Sequence, residues 1–407
     1  MTLGQNVRPD LQRADALFDK GDFAEAEKIY RDAVNDDPQN YAATLKLGNI
    51  ALLGNRYREA EDFLKKAMAL NPAEAAPKAF LAEIYYRQDR FAEAAPLFRA
   101  AGKDEKAQWL ESFKNRIANQ IEPGVNETSV KFEAVDPLPI IKMKINGREA
   151  EFLIDTGGAE LGLDSEWAKE LGVEKAGKIT VNFAGGVKGE INLGLANEAE
   201  IGGFKIKNVP VTLDSMDMTA RMFKRPIKGV VGTVFLYHFL STLDYPAGKL
   251  VLRKRTAENS ALLAKDHQRG GAYEMPFWLA GQHVIVAKGS VNDSPEYLFF
   301  LDTGMGGGGL AVSPEFAAEA KIPIPKDEGR GIGGSGRAVP FKPIVGDEVR
   351  LGQASERNIR GACGGLHTND EYRSKMGFRI VGIISHEFFK PYRLTFDFEA
   401  MKAYLAK

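Results

Sequence analysis

At 407 residues the chain is longer than one average domain, and its 44% hydrophobic content can fill large cores without metals or cross-links. Lys and Arg number 54 against 55 Asp and Glu, a formal net charge of −1, which excludes a global field drawing the protein to nucleic acid or an anionic membrane. The single cysteine, Cys363, excludes an intramolecular disulfide and is compatible with a reducing compartment.

The first thirty residues include Arg8, Asp10, Arg13, Asp15, Asp19 and Lys20, and hold no apolar run of signal-peptide length. No later stretch reaches the roughly 18 apolar residues of a membrane-spanning helix. As written, the chain reads as soluble and cytoplasmic. Ala26, Ala60 and Ala94 then recur every 34 residues, as do Ala33, Ala67 and Ala101, and Pro38 and Pro72. Small residues at this period let paired helices approach closely, and the prolines end each second helix. Turns at Lys20-Gly21-Asp22, Leu53-Gly54-Asn55 and Gln88-Asp89-Arg90 each precede an aromatic residue and a Glu-Ala step. This pattern resembles tetratricopeptide repeats, with three units and a helical domain over residues 8–121. An amphipathic segment from Asp104 to Gln120, with Trp109, Leu110, Phe113 and Ile117 on one face, is expected to cap the stack.

After Glu122-Pro123-Gly124 the periodicity moves toward two, with Val130, Ile140, Ile141 and Ile145 and a turn at Asn146-Gly147. An apolar strand then runs into Asp155-Thr156-Gly157, and a second into Asp302-Thr303-Gly304, 147 residues later. The register persists. Ala184-Gly185-Gly186 and Ile332-Gly333-Gly334 are offset by 148, and Ile201-Gly202 and Leu351-Gly352 by 150. Gly229-Val230-Val231-Gly232 matches Gly382-Ile383-Ile384-Ser385, and Asp244-Tyr245 follows the first as Asp397-Phe398 follows the second. Self-similarity on this scale predicts two copies of one fold, at 128–255 and 272–407, joined by a polar connector over 256–271. Short helices are expected after each Asp-Thr-Gly loop, from Ser165 to Leu171 and from Ser313 to Ala320, each opened by an N-cap serine.

These motifs resemble the retropepsin-like aspartic peptidases, and their duplication resembles the two-lobed pepsin-type monomer. The resemblance covers roughly residues 128 to 407. It implies a multidomain protein: an all-α helical repeat region followed by a mainly-β double-lobed aspartic-protease fold. It also implies that Asp155 and Asp302 form an acid–base pair on one water, because two carboxylates in contact share a proton. Thr156 and Thr303 would bond across the lobes as structural supports. Gly157 and Gly304, with the flap glycines Gly185, Gly186, Gly333 and Gly334, would approach an extended peptide substrate. The activity implied is endopeptidase, without cofactor or metal, on a peptide or protein substrate. The helical repeats would recruit that substrate or a protein partner. Bacterial members are often exported, so a leader upstream would place the protein in the periplasm.

The family usually has Ser, Thr or Ala after the Asp-Thr-Gly glycine, and this chain has Gly158 and Met305. Without a hydroxyl donor there, the pair should be less acidic than in pepsin-like enzymes, with an activity optimum nearer neutrality. Met305 could also narrow the cleft. Ser385 replaces the glycine that ends the second lobe's motif. These three departures favour an alternative, a catalytically inactive protease-like scaffold that binds peptides. Other motifs carry less. Gly304–Gly309 and Gly331–Gly336 both fit G-x-G-x-x-G, but neither sits in an alternating strand–helix series. His386-Glu387 lacks a second zinc-binding histidine, and Cys363 has no adjacent histidine to activate it. Asp244 and Asp397 read as structural repeats.

Overall fold

The computed structural model describes residues 10–183, 187–332, 338–364 and 369–407. Among these, the N-terminal part forms three helix pairs, Leu11–Asp19 with Phe23–Asp36, Tyr41–Leu53 with Tyr57–Leu70, and Ala76–Arg87 with Phe91–Ala100, followed by Asp104–Glu111. The repeating alanines Ala26, Ala60 and Ala94 are fully buried where the helices cross. Each pair turns through a left-handed residue, Gly21 (φ 77°), Asn55 (φ 52°) and Asp89 (φ 58°). Glycine, asparagine and aspartate are the types that tolerate this backbone best.

The seventh helix is shorter than its amphipathic pattern predicts. It stops at Glu111, and Lys114 (φ 52°) and Asn119 (φ 48°) turn the chain left-handed where a helix to Gln120 would need right-handed backbone. Trp109, Leu110 and Phe113 are buried as expected, but Ile117 is 63% exposed. The helix does not close the stack toward solvent. Trp109 Nε1 donates to the Gly194 carbonyl at 3.0 Å, so it seals the repeats against the first sheet region.

Two closed strand circuits follow, and they share one connectivity. In the first, Ile140–Ile145 pairs antiparallel with Arg148–Ile154, which runs parallel to Ile227–Val231. That strand is antiparallel to Leu161–Asp164, which is parallel to Phe204–Asp214; Val187–Ile201 then pairs with both Phe204–Asp214 and Ile140–Ile145 and closes the ring. In the second the same sequence of pairings links Val284–Val291, Tyr297–Asp302, Gly382–Ser385, Leu310–Val312, Ala354–Cys363 and Ala338–Leu351. Each ring carries an outer hairpin arm, Glu174–Phe183 on Val187–Ile201 and Gly329–Ile332 on Ala338–Leu351.

A six-stranded antiparallel sheet joins the halves. Its order is Tyr273–Pro276, Lys402–Ala406, Arg393–Asp397, Phe239–Asp244, Lys249–Lys254 and Glu127–Lys131. The central contact, Phe239–Asp244 against Arg393–Asp397, brings equivalent strands of the two copies side by side. Asp244 and Asp397 sit at their ends as turn caps. Asp244 Oδ1 accepts the Ala247 amide at 3.1 Å, and Asp397 Oδ1 accepts those of Glu399 and Ala400 at 2.9 and 3.0 Å.

The polar connector is itself a helix, Ala257–Arg269, capped by the Thr256 hydroxyl on the Asn259 amide. Of the two short helices after the Asp-Thr-Gly loops, the second is capped by Ser313 as expected. The first is capped one residue earlier, by Asp164, whose carboxylate accepts from Trp167 N at 3.0 Å; Ser165 is the first helical residue. Asp also caps better than it sits inside a helix, so it takes the position from its serine neighbour. Among the described residues, no helix is long and apolar enough to cross a membrane.

Candidate active site

The apolar strands Arg148–Ile154 and Tyr297–Asp302 lie inside their rings, each flanked by a parallel neighbour that fixes where it ends. Asp155 N bonds to Val231 O at 3.1 Å, so the chain leaves the first sheet at Asp155. Both loops then fold back on their own carboxylate. Gly157 N donates to Asp155 Oδ1 at 2.8 Å, and Gly304 N to Asp302 Oδ1 at 2.7 Å.

The two threonines cross between the halves. Thr156 N donates to Thr303 Oγ1 at 3.0 Å and Thr303 N to Thr156 Oγ1 at 2.9 Å. Thr156 Oγ1 also donates to Leu301 O at 2.9 Å, and Thr303 Oγ1 lies 3.5 Å from Ile154 O. Both threonines are buried, with Thr303 wholly inaccessible. A buried, fully satisfied pair of hydroxyls fixes the separation of the loops, since either loss would strand donors away from water.

That arrangement sets the acidic residues face to face. A Cβ on Gly304 would stand 2.0 Å from Asp155 Oδ1, and one on Gly157 would stand 2.5 Å from both carboxylate oxygens of Asp302. Each glycine is therefore needed to admit the opposite lobe's carboxylate. Gly157 and Gly304, expected to approach substrate, line the wall of this pair. The expected flap glycines Gly185, Gly186, Gly333 and Gly334 lie outside the described residues; the arms leading to them are the outer hairpin strands.

Burial is the first cause holding both carboxyl groups above the ordinary carboxylate range. The charge of Asp155 raises Asp302 further, while a hydrogen bond with Asp302 and the amides of Gly157 and Gly158 oppose the rise at Asp155. Apart from their mutual contact, the donors acting on the pair are backbone amides of glycine, as the missing hydroxyls at 158 and 305 lead one to expect. Two carboxylates in contact titrate as one unit, with one proton retained after the other has left.

Met305 packs against a core that the first helices share with the second half, its methyl 3.4 Å from where a Cβ on Gly308 would stand. Ser385 is an anchor: its hydroxyl donates to the Asp302 carbonyl and accepts the Met305 amide at 3.2 Å. Sequence reasoning missed the counterpart, Thr233, whose Oγ1 donates to Thr156 O at 2.8 Å and whose amide donates to Gly158 O at 2.9 Å. The signal available was a hydroxyl residue where each parallel neighbour strand gives way to a short helix.

Comparison with protein-family models matches residues 141–238 to the gag-polyprotein putative aspartyl protease family. Residues 11–75 and 51–109 match two tetratricopeptide-repeat models. No curated protein matches the chain. The chain thus carries tetratricopeptide repeats followed by an aspartyl-protease-type domain, within which lies the first of its two Asp-Thr-Gly loops.

Proposed function

We propose that this protein is an aspartic endopeptidase in which Asp155 and Asp302, one from each of two lobes at 128–255 and 272–407, activate a single water. The observation that carries this reading is the reciprocal packing of each Asp-Thr-Gly glycine against the opposite carboxylate. The ionised member of the pair takes a proton from the water, and the protonated member hydrogen-bonds the scissile carbonyl and supplies its proton. Water adds directly to the carbonyl carbon, and the tetrahedral diol collapses with cleavage of the C–N bond as the proton taken from water passes to the leaving nitrogen, so no covalent enzyme intermediate forms. Thr156 and Thr303 keep the two carboxyl groups at working distance. An extended peptide laid across the pair could bond to the hairpin arms as an added strand. The helical repeats, a protein-interaction module by type, would hold a substrate or partner through the surface not engaged with the lobes.

Mass-spectrometric profiling of cut sites in a peptide mixture tests the reading. Cleavage blocked by a statine-type transition-state mimic is the expected result. A peptide-binding scaffold, the reading that Gly158 and Met305 favour, would bind peptides and the mimic and release them intact.

A further inference from the structure

The third helix pair reaches the Asp155 loop and the second half of the sheet region through consecutive residues. Tyr86 and Arg87 end the helix Ala76–Arg87. Tyr86 donates its hydroxyl to Glu160 Oε1. Arg87 Nη2 donates to Leu279 O at 2.9 Å and also to Gly281 O in the second half, while Nη1 ties back to Leu52 O at 3.0 Å and Asn55 Oδ1 at 2.8 Å in the second helix pair.

Glu160 belongs to the loop that carries Asp155. The backbone of that loop is held by Thr233 N on Gly158 O at 2.9 Å and Val234 N on Ala159 O at 2.8 Å. A Cβ on Gly232 would lie 2.4 Å from the carbonyl oxygens of both Ala159 and Glu160, so the two segments are in close backbone contact. The Glu160 side chain is buried, and its Oε2 has no hydrogen-bond partner among the described residues. Tyr86 is thus the hydroxyl that satisfies it, with the Lys106 ammonium 3.8 Å from the Tyr86 ring centroid supplying nearby positive charge. A buried carboxylate deprived of its donor must move toward water or toward another donor, and its loop moves with it.

We propose that the helical repeats are part of the catalytic scaffold: Tyr86 and Glu160 are positioning residues for the Asp155 loop, and Arg87 ties the same helix to the second lobe. The repeats then hold the two lobes in register with each other, in addition to any recruiting role. The proposal rests on the peptidase reading only for its kinetic consequence.

Hydrogen exchange by mass spectrometry on the full chain tests it, with kcat and KM measured in parallel on a cleaved peptide. Tyr86→Phe retains the ring stacked on Phe91 at 5.2 Å, so the helix pair keeps its packing. Exchange at the Thr233 and Val234 amides should rise about tenfold in this variant. Its kcat should fall by about tenfold with KM unchanged, as a misplaced catalytic group demands. Glu160→Gln, which can still accept from Tyr86, should exchange no faster than wild type at these two amides and keep kcat within about threefold. Arg99→Ala, which removes an exposed ion pair with Glu111, should match wild type. Unchanged exchange at Thr233 and Val234 in Tyr86→Phe overturns the proposal. If wild type cleaves no peptide, the peptidase reading fails, and the exchange comparison still decides whether the repeats position the loop.

Discussion

The two lobes share a strand circuit but are fastened to the helical repeats by different chemistry. Beside an apolar core shared with the repeats, the first lobe is held through polar groups: Tyr86 on Glu160, His238 Nε2 on Asp89 Oδ2 at 3.0 Å, and Trp109 Nε1 on Gly194 O at 3.0 Å. The second is held by the Arg87 bonds and, beside them, by an aromatic cluster. Phe378 packs edge-on against Phe18 at 5.9 Å and Phe23 at 5.2 Å, and Phe23 against Trp278 at 5.1 Å. An Asp19–Arg373 ion pair and a Lys288 Nζ bond to Asp22 Oδ1 at 2.9 Å edge this apolar patch. The first seam buries a carboxyl, that of Glu160, whereas the aromatic rings of the second, those of Phe18, Phe23, Trp278 and Phe378, hold no titratable group.

The contrast can be broken from either side. The largest effect is expected where the lobes touch each other: Gly304→Ala places a methyl 2.0 Å from Asp155 Oδ1. Cleavage should drop by about 100-fold or more from displacement of the pair, and a rate near wild type would show that the carboxyl groups have room to spare. Phe378→Ala empties the apolar seam and should cost about 3–5 kcal/mol, read as a lower unfolding midpoint in denaturant. A loss below about 1 kcal/mol would mean the second lobe is not held there.

The polar seam predicts a pH dependence. Burial, opposed by Lys106 and Tyr86, pushes the Glu160 carboxyl up to about 6. A carboxyl raised above its unfolded value contributes stability fully present below about pH 4.5 and lost as pH rises through about 6. Glu160→Gln should therefore gain about 2 kcal/mol relative to wild type between pH 4.5 and 7.5. A mutant–wild-type difference that does not change with pH contradicts the assignment. The same sign holds for the carboxylate pair. Asp302→Asn removes a buried ionisable group whose folded form resists charging, so it should stabilise the protein at neutral pH, read as a higher unfolding midpoint. The gain should vanish near pH 4. Destabilisation at neutral pH would show that the pair is not under electrostatic strain.

Much of this was legible in the sequence because short-range rules decide it. The 34-residue alanine period places Ala26, Ala60 and Ala94 at helix crossings, and the doubled Asp-Thr-Gly motif marks equivalent strand ends. The reciprocal threonine bonds also follow from the family pattern. Less legible were features decided by contacts distant in sequence. Nothing in the repeat pattern marks Tyr86 and Arg87, and only the fold shows that their polar ends leave the repeat. The overextended seventh helix fails for a local reason that amphipathic spacing hides, the left-handed turn at Lys114. Ser385 stood out as a missing glycine, whereas its hydroxyl turns out to tie the Asp302 loop to its neighbour strand.

The sharpest test of the whole account is peptide cleavage by the two single variants Asp155→Asn and Asp302→Asn, each confirmed folded by its unfolding midpoint. A shared water requires both carboxyl groups, so each variant should lose about 1,000-fold or more of the wild-type rate. Substantial cleavage by either variant alone would contradict a site built jointly by the two lobes.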